Sequence, residues 1–412
     1  MFNAFDPDRT EISGPFNAVR MEGEIDGLKK VVYMFMDFHM PANNQTECAN
    51  VYSQDFNRYL AETFHDLNGA DRVYDFFFEI HPEVYKVDSA ARAEAIEKQG
   101  RYGFRDKYIW QVINLLKSTV KYDASNDKVG ISEVFQNVRL HYLDIRPALN
   151  QISYYLQSIP ICSNLYCNDF PPIIFELLWR ASNYTRSLVD LYQSIRKDRT
   201  FKPSPKEDSD HRLEASQLAF SKVIHKLLYG YKHDNVREVI TTKADYYFGE
   251  LEALVGMIDD FASKLEGYIK ILTDQTTTYF RDNLIEPGVP VEERIRIFDD
   301  IQLNLANLHS QELYAGIGIT DCYLLRRLLD KGYVTNAIIY TGGSHTINYI
   351  SVLAKDFGFR VTNVSFTRAS SISELNSTLT KRLAAGERIT DLFIGDRLDQ
   401  CSDLTDFPKR FL

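Results

Sequence analysis

The sequence lacks features that mark several common classes of protein. It has no uninterrupted apolar run near the roughly 18 residues that a membrane-spanning helix needs, which argues against a transmembrane protein. Its N-terminus has no basic segment followed by an apolar run, so no secretory signal peptide is expected. Positive charge is also scarce. The 47 lysines and arginines are outnumbered by 57 aspartates and glutamates, which argues against nucleic acid or an anionic membrane as the main partner.

Cysteine is scarce as well, with five scattered residues in a chain of 412. This usage is more typical of a reducing compartment than of a disulfide framework, so we expect an intracellular, cytoplasmic protein. Cys162 and Cys167 have no second Cys/His pair at zinc-finger spacing, and we interpret them as ordinary thiols. The sequence also lacks a dinucleotide-binding glycine loop, a P-loop and a Gly-x-Ser-x-Gly nucleophile turn, which argues against the chemistry of those sites.

What the sequence does contain is an alternation of strand and helix patterns in its first third. Apolar runs at 29–38 and 73–80 and an alternating segment at 137–145 predict strands. Helical spacing of apolar residues at about 53–66 and 104–120 predicts the helices between them. Strands that alternate with helices are typical of a mainly parallel sheet.

The middle of the chain is predicted to be helical, and the α/β pattern then returns. Helical spacing holds over residues 172–197, 212–230, 243–284 and 293–310. An amphipathic helix at 321–334, with a glycine-bearing cap before it, leads to a strand at 337–341, another helix, and a further helix at about 372–385. We therefore predict an α/β fold: a mainly parallel mixed sheet flanked by helices, with a large all-helical insertion. The predicted division is 1–146 and 312–412 for the two halves of the α/β core and 147–311 for the insertion.

Ionisable side chains follow every one of the four predicted strands. They are Asp37 and His39, Glu79 and His81, Asp144 and Arg146, and His345. Each pair is two residues apart and so shares a face in extended chain, and ligands of parallel sheets bind at the carboxyl ends of the strands. One such residue alone is more often a turn former or a helix cap, but their coincidence predicts a shared pocket. Asn43 and Asn44 either donate to a substrate or stabilise their loop through Asx turns.

The residues 342–345, Gly-Gly-Ser-His, resemble the closing Gly-x-x-His motif of the TraB/TIKI, ChaN and erythromycin-esterase-like superfamily. Gly342, Gly343, Ser344 and His345 supply this match. The exit of the first strand is similar to the Gly-Glu-x-His motif of the same superfamily, with Met36 and Asp37 replacing glycine and glutamate. The chain also resembles uncharacterised proteins of large DNA viruses.

The superfamily resemblance implies a hydrolase of peptide or ester bonds that acts on a peptide or a small molecule. In one branch, two histidines and a carboxylate bind a divalent transition metal, a set that here corresponds to His39, His345 and Glu79. In another branch, a histidine and a glutamate activate water without a metal. Arg146 is similar to the arginine that orients the substrate in that site.

The departures from the motif favour a different class of function. Met36 places bulk where the superfamily has bare backbone, and Asp37 is one methylene shorter than glutamate. The alternative is therefore a non-catalytic structural or interaction protein, possibly of viral origin, that retains the fold with a degenerate site. The sequence makes no prediction of the oligomeric state.

Overall fold

The computed structural model describes residues 7–38, 48–79, 108–119, 122–123, 128–129, 132–143, 145, 149–159, 173–202, 211–274, 280–281, 284–285, 291–396 and 399–411. Within those ranges, no helix combines the length and the apolar character needed to cross a membrane.

Strands and helices are numbered in chain order. The strands are β1 (Glu11–Ser13), β2 (Asn17–Ile25), β3 (Leu28–Asp37), β4 (Gln54–Asp55), β5 (Tyr74–Phe78), β6 (Tyr122–Asp123), β7 (Lys128–Val129), β8 (Val138–Tyr142), β9 (Phe280–Arg281), β10 (Leu284–Ile285), β11 (Asn336–Gly342), β12 (Arg360–Val364) and β13 (Cys401–Asp403). The helices are α1 (Phe56–Asp66), α2 (Tyr108–Thr119), α3 (Asn150–Gln157), α4 (Ile173–Lys197), α5 (His211–Leu228), α6 (Asp234–Asp274), α7 (Val291–Asp330), α8 (Gly343–Phe357), α9 (Ile372–Ala384) and α10 (Thr390–Phe393).

The main sheet has six strands in the order β12-β2-β3-β11-β5-β8. Strands β3, β11, β5 and β8 run parallel to one another, whereas β2 is antiparallel to both β3 and β12. All four predicted strands lie in this sheet, so the predicted mainly parallel mixed sheet is confirmed. Strand β11 is buried along its whole length, which explains its unbroken apolar run Ala337–Tyr340.

The sequence analysis missed the hairpin formed by β2 and β3. Its turn is Asp26-Gly27, and both residues have positive φ, 47° and 83°. An Asp-Gly pair between two strand patterns is a strong hairpin signal, because the type I′ turn needs positive φ at both central positions. Charged residues such as Arg20 and Glu22 interrupt the apolar pattern of β2, which is why the run was not recognised.

A smaller sheet in the order β13-β1-β4 joins the two ends of the chain. Next to it, Cys48 and Cys401 form a disulfide across 353 residues of sequence, with Cα atoms 5.1 Å apart. The expectation of scattered reduced thiols is therefore wrong for these two cysteines. Sequence spacing could not pair them, because the fold alone brings positions so far apart together.

Aromatic residues form the core on one face of the main sheet. Phe56 of α1 packs between Phe35 of β3 and Tyr340 of β11, with ring centroids 5.0 and 4.7 Å away. The buried residues Leu60 and Phe64 continue this face of α1, at the spacing that predicted the helix. This layer covers the sheet between β3 and β5.

The chain divides into two compact units. One contains Met1–Asp144, Lys232–Val236 and Leu324–Leu412, and the other Ile145–Tyr231 and Arg237–Tyr323. The second unit is mainly helical, as predicted, but it is not all-helical. The predicted helix at 243–284 ends at Asp274, and the short strands β9 and β10 follow it.

Helix α7 contradicts the prediction of two helices separated by a glycine-bearing cap. It runs without interruption from Val291 to Asp330, through the predicted domain boundary at 311/312. Gly318 lies within it, and a Cβ added there would be 2.1 Å from Cε1 of the Tyr247 ring. Gly318 therefore allows Tyr247 to pack against α7 and does not interrupt the helix.

This role of Gly318 gives a test with a matched control in the same helix. Gly318→Ala should lower the free energy of unfolding by about 1–3 kcal/mol, because the Tyr247 ring must move. Gly316→Ala should raise it by up to about 1 kcal/mol through helix propensity, because its Cβ would be 3.5 Å from the nearest atom outside the helix, Cδ1 of Leu149. Urea unfolding followed by circular dichroism measures both. Equal effects of the two substitutions would contradict this packing.

Candidate active site

The candidate site lies where β11 ends between β3 and β5. Gly342, the last residue of β11, is level with Asp37 of β3, and Tyr340 is level with Phe78 of β5. Glu79 follows β5 directly, and its backbone N–H donates to the Tyr340 carbonyl at 3.3 Å. Parallel pairing thus brings residues from both ends of the chain to one rim of the sheet.

The Glu79 carboxylate contacts the turn between β11 and α8 with both oxygens. Its Oε2 accepts a hydrogen bond of 2.9 Å from the Gly342 backbone N–H. Its Oε1 lies 3.3 Å from Nε2 of His345. Both side chains are buried, so the interaction is only weakly screened by water. This acid–histidine contact is the central feature of the site.

Helix α8 positions His345 because it begins immediately after the strand. Gly342 is the N-cap residue and makes no side-chain cap. Thr346 donates to the Gly342 carbonyl at 3.4 Å and lies 3.0 Å from the Thr341 hydroxyl, which stabilises the tight transition. The helix N-terminus carries partial positive charge, which favours a carboxylate at the position of Glu79.

Gly343 has a steric role in this turn. A Cβ added to it would lie 2.9 Å from Cζ of Phe16. Phe16 in turn stacks on Phe38, with ring centroids 4.0 Å apart. The glycine of the sequence motif therefore lets an aromatic pair pack against the first turn of α8, beside the end of β3.

The predicted site residues are only partly brought together. Glu79 and His345 are in contact, and Gly342 is bonded to Glu79. Ser344 is exposed. The predicted residues His39, Asn43, Asn44, His81, Asp144 and Arg146 lie outside the described residues.

Asp37 lies at the same edge of the sheet as Glu79, but strand alternation predicts opposite faces for the two side chains. Side chains alternate along a strand, so Asp37 has the orientation of Phe35, whose face packs on α1. Glu79 has the orientation of Phe77, on the opposite face. Glu79 lies beyond the end of β5, so the prediction that Asp37 lines the same pocket stays a prediction.

A second acid–histidine pair was missed by the sequence analysis. Asp75 of β5 lies 2.5 Å from Nε2 of His141 on β8 and also accepts two hydrogen bonds from Arg139, at 2.6 and 3.1 Å. Asp75 and Phe77 share a face with Glu79, and Phe77 stacks on His141 at 4.5 Å. An acid inside an otherwise aromatic strand, Tyr74–Phe78, was the signal that could have shown it.

Burial controls the electrostatics of this second pair. The pKa of His141 is lowered from 6.5 to about 4, mainly by desolvation; the contact with Asp75 opposes the shift, and the charges of Arg327 and Arg139 add to it. His141 is therefore neutral at neutral pH. Neither His141 nor Asp75 is exposed, so this pair stabilises the sheet and offers no surface to a substrate.

The pKa of His141 predicts a pH dependence of stability. As pH falls from about 6.5 to about 4, the unfolded chain binds a proton at this residue and the folded chain does not, so the folded state loses stability. Between pH 7 and pH 5 the loss should be about 2 kcal/mol. In His141→Gln the unfolding free energy should not show this loss between pH 7 and pH 5. The control His65→Gln changes an exposed histidine and should show the same loss as the wild type. Urea unfolding at each pH gives the three slopes, and identical slopes would contradict the assignment.

A metal at the first pair would need a further ligand. Glu79 and His345 offer one oxygen and one imidazole nitrogen, donors that suit a divalent transition metal, and the predicted third ligand His39 lies outside the described residues. Among the described residues, the group of three or more potential ligands close together is Glu11, Cys48 and Cys401, at a different place in the fold.

Comparison with known proteins identifies the family. The model of the "Family of unknown function (DUF5847)" matches residues 10–412, and the chain belongs to this family. An uncharacterized protein of Acanthamoeba polyphaga mimivirus is 31% identical over 98% of this chain and 99% of its own length. A second from the same virus is 28% identical over 98% of each chain, and a third is 26% identical over 99% of this chain and 98% of its own. No solved structure matches.

Proposed function

We propose that this member of the DUF5847 family is a hydrolase of peptide or ester bonds whose water is activated at the Glu79–His345 pair. The observation that carries the proposal is the 3.3 Å contact between Glu79 and His345 at the carboxyl ends of parallel strands, where sheets of this kind bind ligands. The substrate class is a peptide or a small molecule. The resemblance to the TraB/TIKI and erythromycin-esterase-like superfamily points to the same chemistry.

The pair supplies a place for the proton that water loses. Water adds to the carbonyl carbon of the substrate, and its proton passes to the pair, because a carboxylate in contact with an imidazole stabilises the protonated ring. The proton then passes to the leaving alcohol or amine as the C–O or C–N bond breaks. The Gly342 N–H holds the carboxylate in place during both transfers.

Two sequence-predicted residues complete the proposal. Arg146 would bind the negative charge that develops on the carbonyl oxygen or a carboxylate of the substrate. His39 would act as a second base or, with His345 and Glu79, hold a divalent transition metal. Such a metal would lower the pKa of bound water and so supply hydroxide near neutral pH.

The second candidate function is that of a non-catalytic scaffold. Burial favours it: Glu79 and His345, like the structural pair Asp75 and His141, are each less than a tenth exposed. In that case the contact with Gly342 N–H serves only to stabilise the turn into α8. The two functions differ in what a substitution at the pair should cost.

Substitutions at the two pairs separate the hypotheses. Glu79→Gln and His345→Gln should each reduce hydrolysis of a responsive ester or peptide in a chromogenic panel by about 10²–10⁴-fold, with little change in the free energy of unfolding. His141→Gln is the matched control and should cost stability with activity retained. Turnover and urea unfolding are measured on the same preparations.

The scaffold reading predicts a different pattern. Each Glu79 and His345 variant would then lose about 1–3 kcal/mol of unfolding free energy as a broken buried polar contact, and the wild type would hydrolyse nothing in the panel. That result would overturn the hydrolase proposal. Elemental analysis of the purified wild type decides between the metal and metal-free versions of the site.

A further inference from the structure

The small sheet places two cysteines and a carboxylate together. In the antiparallel pairing of β1 with β13, Ser13 is level with Cys401 and Glu11 is level with Asp403. Residues two apart share a face, so Glu11 and Ser13 lie on the same side as Cys401. Cys48 joins them, since its backbone N–H donates to the Ser13 hydroxyl at 3.4 Å.

The ligand atoms of this cluster lie close together, with the two sulfurs bonded to each other as a disulfide. The sulfurs of Cys48 and Cys401 and a carboxylate oxygen of Glu11 all lie within 4.8 Å of one another. Glu11 Oε2 is 4.0 Å from the Cys401 sulfur. Glu11 and Cys48 are buried and Cys401 is partly exposed, so an ion would enter beside Cys401.

Arg9 fixes the carboxylate in the orientation that a ligand needs. Its guanidinium bonds Glu11 Oε1 at 2.9 Å and also contacts Asp403. The bond occupies Oε1 and leaves Oε2 as the oxygen nearest the Cys401 sulfur. Two thiolates, one carboxylate and one divalent cation sum to a charge of −1, which Arg9 offsets in part, since it also pairs with Asp403. Outer contacts of this kind orient metal ligands.

We propose that Cys48, Cys401 and Glu11 form a zinc site when the disulfide is reduced. In reducing surroundings a dithiol converts the protein disulfide into two thiols and is itself oxidised to a disulfide. Zinc binding then releases the two thiol protons, forms two Zn–S bonds and one Zn–O bond, and leaves a fourth position for water. Two thiolates favour zinc over hard cations such as magnesium. This site is independent of the proposed hydrolase function.

The test compares the oxidised and reduced full-length chain with zinc as the probe. Cys162→Ser/Cys167→Ser is used as the background, so that the cysteines outside the described residues cannot contribute. The protein is reduced with a phosphine, freed of reductant without oxygen, and titrated with Zn²⁺ against a chromophoric chelator. Co²⁺ in place of Zn²⁺ should give a thiolate-to-metal charge-transfer band.

The reduced protein should bind one equivalent of zinc, and the oxidised protein none. Cys48→Ser and Cys401→Ser should each abolish stoichiometric binding and the cobalt band, and Glu11→Gln should weaken the affinity at least about tenfold. Cys322→Ala, which changes a buried free cysteine outside the cluster, is the control and should bind as the background does. Absence of stoichiometric zinc binding in the reduced protein would overturn the proposal. So would binding that survives in Cys48→Ser/Cys401→Ser, or equal binding in the oxidised form.

Discussion

The parallel pairing of β11 with both β3 and β5 is the constraint on which the rest of the structure depends. Strand β11 comes from the last fifth of the chain, yet it is inserted between two strands from the first fifth. Its residues are buried along the whole strand, as expected for a strand in the interior of a sheet that is covered on both faces. The same register sets Gly342 beside Glu79 and starts α8 where His345 can reach that carboxylate.

The face of β5 opposite α1 carries two acid–histidine pairs with different surroundings. Asp75 lies inside the strand, bonded to Arg139 and His141 of the neighbouring β8, and desolvation keeps that histidine neutral. Glu79 lies past the end of the strand and binds a helix N-terminus instead. A pair enclosed within a sheet can only stabilise it, whereas a pair at the rim has loops for neighbours, and loops are where binding sites are built.

The sequence predicted the fold well where the signal was local and less well where it depended on distant contacts. The apolar runs at 29–38 and 337–341 predicted buried strands. The glycine turn before His345 predicted the start of α8. Gly318 was predicted to belong to a helix cap, but its role is to make room for the Tyr247 ring, 71 positions away in the sequence. The pairing of Cys48 with Cys401 was not predicted, because it too depends on a distant contact. The assignment of Asp37 to the pocket of Glu79 stays a prediction, because the ends of strands carry no information on relative register in the sequence.

Chemical modification of the two histidines tests the central claim, that the Glu79–His345 pair works on water, most directly. Diethyl pyrocarbonate acylates unprotonated imidazoles that the dissolved reagent can reach, and mass spectrometry reads each peptide separately. His141 is a built-in control, because it is neutral at neutral pH and only burial protects it. The account predicts that in the folded wild-type chain His345 reacts and His141 does not, while both react in the unfolded chain. Protection of His345 equal to that of His141 would contradict it, because a site that activates water must admit water.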